Sequence, residues 1–407
     1  MYLCPNEDMK TNFDYVIIGA GIAGTKAIEG IRSIDSVGSI LLINGEQVMP
    51  YKRTRLSKEL LAPFDPAAHA LHPDGWYEEL GVCVLNEKVN SITLLKNNIR
   101  TPNNGTISYK KLIVATGGTP VVPVLKGGGK QFLLPFRNAA DAALCVSNIS
   151  EMDKILIVGG GSLGVELASV FSEAGKTVSL VHTSSSLVNH CFDQKMSFHL
   201  QDMMINQGVR LILQDELRSV SQTGNGKLLV SIGEMIHLLV DRVIVAAGIK
   251  PEIGLATKAG LATEKGILVD ERMQTSHPNV FAAGDVAQLR DGQSGGLWHQ
   301  AEYQGWIAGV NAAGGHAVND GRSFRLKVEA FGQYYFALNI HQGFETVSDE
   351  VFQNNGSYLR FFYHHNQLAG VAMYNLKQLA KRLEQAVNEG WSHERVKAEF
   401  NSIDNHS

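Results

Sequence analysis

Cysteine, charge and long apolar runs are all scarce in this 407-residue chain. The four cysteines, Cys4, Cys83, Cys145 and Cys191, stand alone, with no C-x-x-C pair and no zinc spacing. That excludes a disulfide-built scaffold or a zinc module and is the pattern of reduced thiols in a reducing compartment. Charged residues make up 19%, below the usual ~25%, and the net charge of −4 gives no overall attraction for nucleic acid or an anionic membrane. No apolar run approaches the ~18 residues of a membrane span. The stretch Met1 to Asn12 is polar and lacks the apolar region and cleavage pattern of a signal peptide. These absences point to a cytoplasmic protein that binds neither nucleic acid nor membrane. The fourteen histidines form no H-E-x-x-H and no ligand spacing with carboxylates, so no metal site is expected. His69 with His72, and His364 with His365, read as loop or surface residues.

Glycine, by contrast, is abundant: 41 residues, one in ten, against roughly 7% on average. The glycines cluster beside β-branched runs such as Val16-Ile17-Ile18-Gly19 and Ile155-Leu156-Ile157-Val158-Gly159, which suggests tight turns made against ligands. Asp14 to Ile18 reads as a strand, Gly19-Ala20-Gly21-Ile22-Ala23-Gly24 as a G-x-G-x-x-G turn, Thr25 to Ile34 as a helix and Ile40 to Ile43 as a second strand. A turn of this kind carries meaning when it leaves a strand and opens a helix. The module recurs 140 residues later, with Lys154 to Val158, Gly159-Gly160-Gly161-Ser162-Leu163-Gly164, a helix through Ala174 and a strand from Thr177 to Val181. Each copy closes on a related strand and turn, Leu112 to Gly117 and Val243 to Gly248. Two dinucleotide sites are implied.

The pattern suits a pyrophosphate, whose charge is held at a helix N-terminus by unpaired N–H groups and the helix dipole. A side chain at Gly21 or Gly161 would stand in its way. Glu46 follows Gly24 by 22 residues, the distance at which an acidic residue accepts adenosine ribose hydroxyls. The second copy has His182 at that place, then Thr183 and three serines, with no carboxylate to repel a 2′-phosphate. Gly127-Gly128-Gly129 follows no strand and reads as a connector. In the tail, Phe324 to Phe336 and Tyr358 to Val371 are aromatic and β-rich, and Leu376, Ala380, Leu383 and Val387 recur at helical spacing. The expected class is α/β, with two Rossmann-like dinucleotide-binding domains and a small C-terminal α+β domain.

The residues resemble a known family, the FAD-dependent pyridine-nucleotide reductases of the rubredoxin reductase, ferredoxin reductase and apoptosis-inducing-factor type. The resemblance runs from about Asp14 to Gly314. Its most specific parts are Pro50-Tyr51-Lys52-Arg53-Thr54-Arg55-Leu56-Ser57-Lys58, similar to the family's P-Y-x-R-P-x-L-S-K, and Thr275 to Val286, which reads TSHPNVFAAGDV. It implies that Gly19, Ala20, Gly21 and Gly24 meet the FAD pyrophosphate, Glu46 the adenosine ribose, and Arg53 and Lys58 the phosphate and flavin end. Asp285, after Gly284, would accept from the ribityl chain. Val89, Ala115, Thr116, Gly117 and Arg137 fall at further FAD contacts, and Trp298, in W-x-x-A, at the flavin pyrimidine. In the second copy Gly159, Gly161, Ser162, Leu163, Gly164 and His182 would bind NADH or NADPH, with Gly248 near the nicotinamide. Glu166 matches an acidic position facing the flavin, and its pairing with Lys58 would let the lysine polarise the flavin as hydride arrives. Lys58 and Glu166 are thus the catalytic candidates.

Disulfide reductases carry C-x-x-x-x-C after the first βαβ unit, and the peroxidase and oxidase branch one redox cysteine, whereas this chain reads Tyr51-Lys52-Arg53-Thr54-Arg55 there. The resemblance then implies direct transfer from flavin, which takes two electrons as hydride and releases them singly, to a small carrier such as rubredoxin or ferredoxin. An NAD(P)H oxidase, a quinone or small-molecule reductase, or a slow redox-responsive interaction protein like apoptosis-inducing factor remains an alternative. Thr54 for the usual proline, Val121 for a common arginine and His182 for the usual acid depart from the family, the last leaving NADH against NADPH open. The expected domains are FAD-binding at 1–118 and 251–322, NAD(P)H-binding at 119–250 and C-terminal at 323–407, in a monomer or homodimer.

Overall fold

The computed structural model describes residues 10–46, 48–290, 296–340, 351–354 and 356–400. The chain forms two compact units, both discontinuous in sequence. One comprises Met1–Arg55, Asp65–Thr119 and Ile249–Gly321, the other Leu56–Phe64, Pro120–Gly248 and Arg322–Ser407.

In the first unit the β-branched runs form the parallel part of a mixed sheet, to which Asn98–Thr101 and Ser91–Thr93 add antiparallel pairings. Strand Asn12–Ile18 lies between Ile40–Ile43 and Gly105–Val114, with Ile17 level with Leu42 and with Ile113. Val82–Leu85 extends the sheet beyond Ile40–Ile43, and Val280–Ala282 pairs with Gly105–Val114. The strands are apolar on both faces because both are covered. Helix Ile22–Arg32 packs against helix Trp298–Ala312 through glycines: a Cβ at Gly305 would stand 2.2 Å from the Ala23 carbonyl oxygen, and one at Gly309 2.1 Å from that of Ala27. Part of the glycine excess therefore lets two helix backbones touch, a use the sequence reading did not assign.

The second unit repeats the design with strands Arg210–Leu213, Thr177–His182, Lys154–Val158, Arg242–Val245 and Leu133–Pro135 in parallel order, beside a three-stranded antiparallel sheet spanning 217–240. A five-stranded antiparallel sheet follows, in the order Arg325–Ala330, Gln333–Leu338, Gln367–Tyr374, Ser357–His364 and Val351–Asn354. Its first two strands are joined by Phe331 and Gly332, both at positive φ (53° and 71°), the geometry that suits the twist of a two-residue hairpin. Helices Ala380–Asn388 and His393–Phe400 complete this part, burying Leu383, Val387 and Phe400 with Phe336, Phe361 and Trp391. The tail is α+β, as its periodicity implied. Leu376 lies ahead of the helix rather than in it.

Among the described residues Cys145 and Cys191 are free thiols. Cys4 lies outside the described residues.

Candidate active site

Both glycine turns are built alike. Gly19 has φ +108°, and a Cβ there would lie 2.2 Å from the Ala115 carbonyl oxygen; one at Gly24 would lie 1.9 Å from that of Gly19. In the second copy Gly159 has φ +116° with Ala246 at 2.3 Å, and Gly164 meets Gly159 at 1.9 Å. The middle glycines differ from these in the same way: a Cβ on Gly21 or Gly161 meets no protein atom within 4 Å. Each is the N-cap of its helix, without a side-chain cap and without an acid in the first turn. Open space, unpaired N–H groups and the positive end of a helix dipole coincide twice, so both turns fit a dinucleotide pyrophosphate. Ala20 lies within the first turn, and Ser162 and Leu163 open the second helix.

Around the first turn, Ala115 is buried, Thr116 Oγ1 donates to the Glu252 carbonyl at 3.1 Å, and Gly117 has φ +68°. Val89 is partly buried against the core. The Gly284–Val286 turn follows strand Val280–Ala282; the Gly284 N–H donates to Gln304 Oε1 at 3.0 Å, and a Cβ there would lie 3.0 Å from Ala23 on the motif helix. Asp285, half-buried, is thereby held beside the first turn's helix. Glu46 and Arg53 form an ion pair, with the Tyr51 hydroxyl donating to Glu46 at 2.9 Å, so two residues given separate ligand roles first of all hold each other. Trp298 opens its helix and lines a cleft of about 160 Å³ with Ile22, Lys26, Lys52, Thr54, Leu71, His72 and Glu302.

In the second unit, Glu166 lies one turn into the second motif helix. The direct pairing of Lys58 with Glu166 does not form. Ser57 Oγ donates to Glu166 Oε2 at 2.6 Å, while Lys58 Nζ faces Glu329 Oε2 at 3.6 Å. Lys58 is an exposed residue next to buried Ser57 on the same turn, so the shorter, buried side chain reaches the helix and the lysine reaches the C-terminal sheet. Burial raises the Glu166 carboxyl above the usual range, opposed by the Ser57 hydrogen bond and the charge of Lys58. Ser57 and Glu329 were missed in the sequence; Ser57 was within reach, being a fixed letter of the L-S-K signature.

His182 ends strand Thr177–His182. A Cβ on Gly160 would lie 2.8 Å from its ring, and its Nε2 is buried with no hydrogen-bond partner. Burial, then His190, lowers its pKa. Gly248 (φ +95°) accepts from the Val121 N–H at 2.9 Å. Arg137 precedes the capped helix Ala139–Val146, its N–H donating to Asp141 Oδ2 at 2.9 Å; it belongs to the unit of the second turn rather than that of the first. Among the described residues no helix is long and apolar enough to cross a membrane.

Residues 13–305 match the family described as pyridine nucleotide-disulphide oxidoreductase. A nitric oxide reductase FlRd-NAD(+) reductase of Klebsiella pneumoniae is 32% identical over 276 residues, 67% of this chain and 72% of that one. The fold is similar to that of a ferredoxin reductase from Rhodopseudomonas palustris (TM-score 0.83, 22% identity, 94% of this chain and 99% of that one). It is also similar to that of an NADH:rubredoxin oxidoreductase from Clostridium acetobutylicum (TM-score 0.74, 24% identity, 97% and 100%). With its two uncapped glycine turns and a family match across both, the chain belongs to the pyridine nucleotide-disulphide oxidoreductase family, as an enzyme that uses FAD and NADH or NADPH.

Proposed function

We propose that this protein takes hydride from NAD(P)H onto FAD and delivers electrons to a small redox protein such as rubredoxin or ferredoxin. The observation that carries this reading is the segment Tyr51 to Arg55, which holds no sulfur where family members that reduce disulfides hold a cysteine pair. Relatives whose names specify flavorubredoxin, rubredoxin or ferredoxin as acceptor support it.

FAD would be held by residues of 1–118 and 251–322, namely Gly19, Ala20, Gly21, Gly24, Glu46, Arg53, Lys58, Val89, Ala115, Thr116, Gly117, Gly284, Asp285 and Trp298, joined by Arg137. NAD(P)H would be held in 119–250 by Gly159, Gly161, Ser162, Leu163, Gly164, His182 and Gly248. When bound, the flavin supplies the conversion of a two-electron hydride into single electrons. The chain supplies the setting: helix N-termini bind pyrophosphate, Ser57 orients the Glu166 carboxyl through Oε2, and Lys58 brings positive charge. The dependence on a pyridine nucleotide, an intracellular reductant, supports a cytoplasmic location.

Rapid-mixing reduction of the FAD-loaded protein with NADH and NADPH, followed by steady-state turnover with rubredoxin, ferredoxin, a quinone and oxygen, tests the reading. Fast reduction with turnover on a protein carrier is expected. Turnover on quinone or oxygen alone would move the chain to a different acceptor class, and slow reduction with a change of oligomeric size would make it a redox-responsive interaction protein.

A further inference from the structure

Lys58 stands between two carboxylates of the same unit, one on the second motif helix and one on the C-terminal sheet. Glu329 is the better equipped of the two. Its Oε1 accepts from Lys327 at 2.9 Å and Lys377 at 3.2 Å, which leaves Oε2 to face Lys58 at 3.6 Å. Burial works against its charge, but the hydrogen bonds from Lys327 and Lys377 hold its carboxyl down to about 2, so it is ionised throughout the working range. Glu166 is more deeply enclosed and is given a neutral donor, Ser57, in place of the ammonium. A lysine facing one ionised and one desolvated carboxylate settles on the ionised one, because burial penalises the charged form of the other.

We propose that Glu329 is a positioning residue for Lys58: it engages the ammonium that would otherwise pair with Glu166, and so leaves the Glu166 carboxyl to Ser57. The C-terminal sheet thereby sets the protonation of a carboxyl on the nucleotide-motif helix. The importance of this for catalysis rests on the reading that Lys58 and Glu166 serve flavin reduction; the positioning itself does not. The groups facing Glu166 are Ser57, Lys58, Lys327 and Glu329, and those facing Glu329 are Lys58, Lys327, Lys377, Tyr334 and Glu166 itself.

The test is a carbon-13 carboxyl NMR titration of the full-length, FAD-loaded protein with labelled glutamate, the Glu166 resonance being assigned with Glu166→Gln. In Glu329→Gln the freed lysine turns to Glu166, and its titration midpoint falls by about one pH unit, as for a carboxylate gaining a close cation. In a Lys58→Met background the same substitution shifts the midpoint by a small fraction of that. An unchanged midpoint in Glu329→Gln overturns the proposal. So does an equal fall with and without Lys58, which would make Glu329 a charge acting through space. Should Glu329→Gln not fold, Glu329→Asp, which keeps the charge but shortens the reach to Lys58, gives a fall of the same sign with the same dependence on Lys58. A midpoint that behaves as proposed, beside unaltered reduction by NADH in Lys58→Met, removes Lys58 from hydride transfer while the positioning stands.

Discussion

Tyr358 donates its hydroxyl to Asp193 Oδ2 at 2.5 Å, and both side chains are buried. Asp193 is also the N-cap of helix Gln194–Asn206, accepting from the Met196 N–H at 2.9 Å, and it pairs with Arg360 at 3.3 Å. One carboxylate thus starts a helix of the parallel-sheet layer and anchors a strand of the C-terminal sheet. Tyr358→Phe removes one donor from a buried charge and should lower stability by about 1.5–3 kcal/mol, the cost typical of a hydrogen bond to an ionised group. Chemical denaturation of the two proteins measures it; a loss no larger than that of a surface tyrosine would mean that Arg360 and the cap already satisfy Asp193.

Two glycines of one turn should respond in opposite ways to alanine. Gly161→Ala places its Cβ in open space at ordinary backbone angles (φ −77°), so the apoprotein keeps or slightly gains thermal stability, by about 0.4–1 kcal/mol from a less flexible unfolded chain, while NADH binding weakens sharply. Gly164→Ala drives its Cβ to 1.9 Å from the Gly159 carbonyl oxygen and should destabilise the protein before any ligand is added. Thermal melts with and without NADH separate the two. Unweakened nucleotide binding in Gly161→Ala would remove that turn from the site.

Three histidines, His72, His182 and His199, have pKa values lowered from 6.5, in each case chiefly by burial. The unfolded chain therefore binds protons at these sites before the folded one does, and the stability they contribute is full above 6.5 and lost as pH falls through and below it. Burial of Glu166 acts in the opposite sense, since its raised pKa favours folding at lower pH. Melting temperatures between pH 8 and 5.5 should decline on the acid side, less steeply in His182→Gln. At pH 7 the neutral His182 offers a 2′-phosphate no charge, so His182→Arg should improve NADPH use by about tenfold or more relative to NADH, the value of a charge-assisted hydrogen bond. Unaltered preference would show that residue 182 does not meet the adenosine ribose.

The glycine turns, their strands and the tail's helix were legible because each is written in neighbouring residues: a turn that only glycine can make, flanked by apolar periodicity. The family signature then carried Lys58 and Glu166. What stayed hidden were partnerships between residues far apart in the chain. Nothing local marks Glu329 as the carboxylate that Lys58 chooses, or Asp193 as the partner of Tyr358. The glycines at 305 and 309 look like helix weakeners until a second helix is placed against them.

Strand Val280–Ala282 pairs with Gly105–Val114, Ile113 level with Phe281. On the ribosome that partner emerges more than a hundred residues after the strand it completes, and helix Trp298–Ala312, which covers the sheet, later still. Until then the nascent first unit presents an unpaired apolar edge while the second unit is synthesised and folds. This waiting period is when the chain is most exposed to wrong pairing with its neighbours, and chaperone demand should concentrate there.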